Sequence, residues 1–239
     1  MKVRVLSSLI MLPLLIVLYF GGPLLWIASL IIAIMGVTEF YKGLEAIDIR
    51  ANRLTGWIFA VVLYIIIILD MDKSLYLLWF FAVVVASLLY LFNTEERKLT
   101  DGMATMLGIF YVVFFSSHIV MIDKTTKETM VWIVILCAFG TDIFAYFTGY
   151  FLGKHKLCPN ISPKKTIEGA VGGIAGSIAL CTLFGYLVFT EPLVHFVIIG
   201  CLGSIVAQAG DLTASVFKRK MGIKDYGNLI PGHGGILDR

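Results

Sequence analysis

Three carboxylates in this sequence interrupt long apolar stretches: Glu39, Asp142 and Asp211. An ionisable group at membrane depth is a functional-site hypothesis by default, because a charge there is costly to keep. Asp142 lies about 15 Å along a helix from the nearer polar loop and therefore needs a buried partner or a polar cavity. Asp211 is about 9 Å from the end of its own stretch by the same helical rise. Glu39 is one turn from its end, where its side chain can simply reach the interface. Asp211, Ser215 and Lys218 fall at i, i+4 and i+7, which is one face of a helix. A carboxylate, a hydroxyl and a cation in line suit a hard divalent ion with oxygen ligands and a phosphate beside it. A polar stripe satisfied by neighbouring helices is the plainer alternative.

Two polar segments accompany these acids. The loop 153–166 is expected to open a helix at Ser162-Pro163 or at Thr166, because Ser and Thr cap helices and Pro fits the first turn. A helix N-terminus attracts phosphate, and Lys164 and Lys165 add charge there. An electrostatic anchor on the cytoplasmic face explains the same lysines equally well. The C-terminal segment 210–239 is rich in cations and glycine and also holds Asp225, His233 and Asp238. Its glycines at 232, 234 and 235 allow close backbone approach to a ligand. Gly169, Gly172, Gly173 and Gly176 are read differently: no strand precedes them, and spacings of four favour close packing of helices. His118, His155 and His195 lack ligand spacing, and His155 shows no partner in its basic loop. No CxxC pair exists among the four cysteines, so neither zinc nor redox chemistry is indicated.

The elements that must hold these groups follow from composition. The 239 residues are 59% hydrophobic and only 15% charged, with a mean hydropathy of +0.93. Those values exclude an ordinary soluble domain and a disordered chain. Eight stretches are apolar over a length that can span a bilayer: 3–20, 23–41, 54–69, 75–92, 103–122, 130–152, 167–189 and 193–217. Runs this long without period-2 alternation are helices, not barrel strands. The first begins after Lys2 and Arg4, but it ends in Tyr19-Phe20-Gly21-Gly22-Pro23 with no small-x-small site, so it reads as a retained helix.

With eight spans both ends share a side. Of the 19 Lys and Arg residues, Lys73, Lys124 and Lys127 alone fall on the opposite side. That asymmetry predicts that both ends, and the basic loops, face the cytoplasm. The expected fold class is all-α, a polytopic integral membrane protein forming one membrane domain over 1–239. Helices 1–128 read as scaffold and 129–239 as the catalytic half.

The run Ser215-x-x-Lys218-Arg219-x4-Lys224-Asp225-x-Gly227-x3-Pro231-Gly232-His233-Gly234-Gly235-x2-Asp238-Arg239 resembles the signature of the phosphatidate cytidylyltransferase (CDP-diacylglycerol synthase) family. Gly210-Asp211 before it and Ser162-Pro163-Lys164-Lys165-Thr166-x-Glu168-Gly169 upstream are similar to that family as well. The resemblance implies condensation of CTP with phosphatidate to give CDP-diacylglycerol and pyrophosphate, and the expected location is the cell inner (plasma) membrane, with the site on the cytoplasmic side. It implies Asp211, Lys218, Arg219, Lys224, Asp225, His233 and Asp238 as catalytic residues. Ser162, Lys164, Lys165, Thr166, Ser215, Gly234, Gly235 and Arg239 would bind substrate. Mg²⁺ or another divalent ion would sit on Asp211 and Asp238, with Asp142 and Ser215 as further candidate ligands and a second cation as an open alternative. No nucleic-acid partner is expected, and a homodimer is left open. The family pattern continues past Asp238-Arg239 into another aspartate and a hydrophobic helix, so a ninth span is expected after Arg239. A CTP-dependent enzyme acting on an isoprenoid or other lipid, or less readily a transporter, is the competing reading.

Overall fold

A computed structural model describes residues 12–229 and 234–238. Among the described residues the helices are α1 (Leu12–Phe20), α2 (Gly22–Glu45), α3 (Arg53–Ile68) and α4 (Ser74–Leu89), the last prolonged by a 3-10 turn, Tyr90–Phe92. Next come α5 (Leu99–Gly108), a π-helical turn Ile109–Phe114, and α6 (Phe115–Asp123), which together make one span. The chain continues with α7 (Met130–Leu152), β1 (Lys156–Cys158), β2 (Ser162–Thr166), α8 (Ile167–Val188) and α9 (Leu193–Lys220). Among the described residues six helices are long and apolar enough to cross a membrane, whereas α3 is apolar but shorter. Every apolar stretch expected from the sequence coincides with a helix, the first being described from Leu12 onward. The molecule is an all-α, multi-pass membrane protein, with one small hairpin among the described residues.

That hairpin corrects the sequence reading of 153–166. Ser162 and Pro163 begin strand β2, which pairs antiparallel with β1 in the register Lys156↔Thr166 and Cys158↔Ser162. Proline is tolerated because a two-stranded sheet consists only of edges. The helix opens instead at Thr166, the second of the two candidate caps, whose side chain accepts the Gly169 N–H at 3.1 Å.

The described residues fall into two compact units. The first, Met1–Glu128 with Lys220–Arg239, joins the early helices to the C-terminal tail. Its helix ends are closed by side chains from the α6 terminus. Asp123 accepts Gly22 N–H at 2.9 Å and Trp26 Nε1–H at 2.7 Å. Lys124 donates to Ile67 O and Ile68 O at 2.7 and 2.8 Å, adding a cation to the carbonyls at the end of α3. At the other end of α3, Asn52 caps through Thr55 N–H, and its own N–H goes to Thr105 Oγ1 at 2.8 Å. Buried Asp101 accepts Lys98 N–H and Arg50 N–H. The core holds fully buried Tyr41, whose hydroxyl donates to Thr105 O at 2.6 Å. Trp79 donates to Phe59 O and packs against Phe110 and Phe114 of the π turn.

The second unit, Thr129–Arg219, contains α7, the hairpin, α8 and nearly all of α9. Helices α7 and α8 meet along glycines. A Cβ added at Gly169 would lie 2.7 Å from Ala145 O, and one at Gly173 would lie 3.0 Å from Thr141 O. Cβ atoms at Gly172 and Gly176 would collide with Thr148 and Phe144. These glycines serve helix packing, as their spacing suggested. Helix α9 joins through Phe196, buried with Ile133, Cys137 and Cys181. Thr141 Oγ1 also donates to Ser204 Oγ at 2.8 Å.

Candidate active site

In the second unit, Asp211 projects from α9 and forms an ion pair with Lys165 of β2. The partners keep 29% and 51% of their side-chain surface accessible, for Lys165 and Asp211 respectively. Such a pair adds little stability, so its consequence is where it holds charge. Asp142 of α7 lies within electrostatic range of both Asp211 and Lys165. The Lys165 ammonium pairs with Asp211, and the second carboxylate leaves a net negative charge that suits a divalent cation. Mg²⁺ commonly binds one or two carboxylates and completes its octahedron with water and phosphate oxygens. Among the described residues no three His, Cys, Asp or Glu side chains converge on a metal position.

Ser215 and Lys218 follow Asp211 along α9, both partly exposed. Arg219 Nε donates to Ile161 O at 3.5 Å, linking the end of α9 to the hairpin turn. Lys164 is exposed on β2, while Thr166 is buried and occupied as the α8 cap. His155 has a partner after all. Its Nδ1 lies 2.6 Å from Glu168 Oε1, and Glu168 also accepts the N–H groups of Lys154 and His155. The sequence reading missed this because the ring and the carboxylate are joined only by the hairpin. Within this unit the structure thus brings together Asp142, Lys165 and Asp211, and sets Ser215, Lys218 and Arg219 on the following turns.

The remaining candidates belong to the first unit. Lys224 and Asp225 are exposed in the stretch after α9. Gly234 adopts φ +94°, a conformation that favours glycine. Asp238 Oδ2 accepts Tyr226 N–H at 2.8 Å and Gly235 N–H at 3.0 Å, folding the tail back on itself. Burial raises the Tyr226 phenol above its ordinary range, with the nearby Tyr111 and Asp238 charges adding to the effect. His233 and Arg239 lie outside the described residues.

Glu39, an acid whose plainer reading from the sequence is that it reaches the interface, also engages this tail. Glu39 of α2 accepts Ile236 N–H at 3.0 Å through Oε1 and Leu237 N–H at 2.9 Å through Oε2. It sits in a helix stripe of Gly36, Glu39, Phe40 and Gly43, one face by helical spacing. Along that stripe the tail seats Leu237 near Gly36, Tyr226 against Phe40 and Met221 near Gly43. An acid flanked by small residues on one helix face was the available signal.

The apolar helices define a multi-span membrane protein, and the acids and lysines in its polar segments set the class of protein to look for. More particularly, the chain belongs to the cytidylyltransferase family, whose model matches residues 2–239. It is similar to the phosphatidate cytidylyltransferase of Brucella abortus biovar 1 (strain 9-941), 36% identical over 210 residues, covering 86% of this chain and 76% of that protein. The phosphatidate cytidylyltransferase of Staphylococcus saprophyticus is 34% identical over 249 aligned positions, covering 100% of this chain and 93% of that protein. That of Bacillus subtilis (strain 168) is 39% identical over 141 residues, 58% of this chain and 52% of that protein.

Proposed function

We propose that this chain is a phosphatidate cytidylyltransferase, condensing CTP with phosphatidate to give CDP-diacylglycerol and pyrophosphate. The observation that carries the reading is the family match over residues 2–239, reinforced by similarly named relatives. In the reaction a phosphate oxygen of phosphatidate attacks the α-phosphorus of CTP. A new P–O bond forms, the α–β P–O bond breaks, and pyrophosphate departs with that electron pair. A phosphomonoester is largely dianionic at pH 7, because its second pKa is about 6. No strong base is then required, and the acids are free for another role.

The difficulty is bringing two polyanions together. Lys164, Lys165, Lys218, Arg219 and Lys224 are cast as the cations that neutralise phosphate. Ser162, Thr166, Ser215, Gly234, Gly235 and Arg239 are cast as substrate-binding positions, with Asp225 and His233 as further catalytic residues. Asp211 and Asp238 are proposed as the acidic ligands of a divalent ion, Mg²⁺ being the expected one, with Asp142 and Ser215 assisting. Such an ion, when bound, withdraws charge from the reacting and departing phosphates. The proposal sets eight helices across the inner membrane, with both ends and the site on the cytoplasmic side. Its partners are a nucleotide and a membrane lipid.

Incorporation of labelled CTP into defined lipids, with and without Mg²⁺, tests this. Label is expected in CDP-diacylglycerol when phosphatidate is supplied. Transfer to a polyprenyl phosphate and not to phosphatidate would move the assignment to another lipid.

A further inference from the structure

We infer that Glu39 is a positioning residue for this transfer, its carboxylate fixing the backbone turn that carries Asp238. The inference rests on the reading of Asp238 as a metal ligand. Each carboxylate oxygen of Glu39 takes one of two consecutive backbone N–H groups, Ile236 and Leu237, immediately before Asp238. Asp238 in turn accepts the N–H groups of Gly235 and Tyr226. The peptide planes on either side of the turn are therefore held by two acids, one from a membrane helix and one from the tail.

The tail is also shaped around this particular carboxylate. A Cβ added at Gly227 would lie 2.6 Å from Glu39 Oε1, and one at buried Gly235 would collide with both carboxylate oxygens. Apolar packing alone needs no such charge: Leu237 already lies against Gly36, and Tyr226 against Phe40. A carboxylate that grips two amides adds direction, since charge-assisted hydrogen bonds are short and geometrically demanding. Its effect on the reaction passes through Asp238, because both amides belong to the residues that lead into it.

The test is E39Q in the full chain. Glutamine keeps the shape but turns one acceptor into a donor, so only one of the two amides can be held. Two measurements are made: amide hydrogen exchange of residues 234–238 without divalent ion, and the Mg²⁺ concentration for half-maximal CTP transfer. Exchange is expected to accelerate, and the Mg²⁺ requirement to rise about 10-fold or more, the usual cost of removing a partner that orients a metal ligand. Unchanged exchange, or a wild-type Mg²⁺ requirement with wild-type turnover, overturns the inference whatever the melting temperature does. If E39Q does not accumulate in the membrane, G227A carries both measurements by the same criteria, since it crowds the carboxylate without discharging it. If the wild-type chain itself transfers nothing to phosphatidate, the functional reading falls and the exchange result alone decides whether Glu39 anchors the turn.

Discussion

At the scale of single residues, the acids divide by what they hold. Asp211 faces a lysine ammonium, whereas Asp238 and Glu39 face backbone amides. D211N removes the charge and loosens an accessible ion pair, so its effect on the melting temperature is expected to be small. Its Mg²⁺ requirement is expected to rise, or its turnover to vanish. D238N retains an oxygen that can accept from Tyr226 and Gly235, and the same dissociation between stability and Mg²⁺ requirement is expected. A Mg²⁺ titration paired with a melting curve checks both variants. A lowered melting temperature with an unchanged Mg²⁺ requirement would make the acids structural. Asp211 and Asp238 were legible in the sequence because a charge among apolar or glycine-rich neighbours stands out. The partnership of Glu39 was not, since its two amides lie 197 and 198 residues away and no local spacing can encode them.

At the scale of elements, the long helices were legible for the reason that makes them stable in lipid: each is a continuous apolar run that satisfies its own backbone. The hairpin was not. Its strands have three and five residues, carry lysines and a proline, and show no alternation to read. What the sequence did mark was Thr166, which ends β2 and caps α8 at once. T166A is expected to cost about 1 kcal/mol of stability through the lost cap. T166S should recover most of that loss. The comparison is made by thermal melting in detergent, and equal melting of wild type and T166A would show that the cap contributes nothing.

At the scale of the whole molecule, the chain divides into Met1–Glu128 with Lys220–Arg239 and Thr129–Arg219, units that do not follow its order from end to end. The return of the tail to the first unit was not visible, because it depends on packing of Met221, Tyr226 and Leu237 onto α2 rather than on order along the chain. Orientation is a separate matter, argued from charge. On the proposed eight-span topology Lys and Arg fall almost wholly on one side, and Cys158 in the hairpin is then expected to react with a membrane-impermeant thiol reagent only after cells are opened. A variant carrying Cys158 as its sole cysteine makes the assay specific. Labelling in sealed cells would reverse the topology and put the basic loops outside.

The π turn at Ile109–Phe114 has a consequence for chain length. A π turn takes up more residues than an α turn, so this span carries slack in its count at one position. Removing one residue between 109 and 114 is expected to convert the bulge into ordinary helix, leaving Asp101 and Asp123 with their present partners. The same deletion anywhere else in the span would rotate everything beyond it by about 100°, carrying Asp123 away from Gly22 and Trp26. Membrane accumulation and melting of a deletion series across 99–123 would locate the one place where this helix can be shortened without being turned.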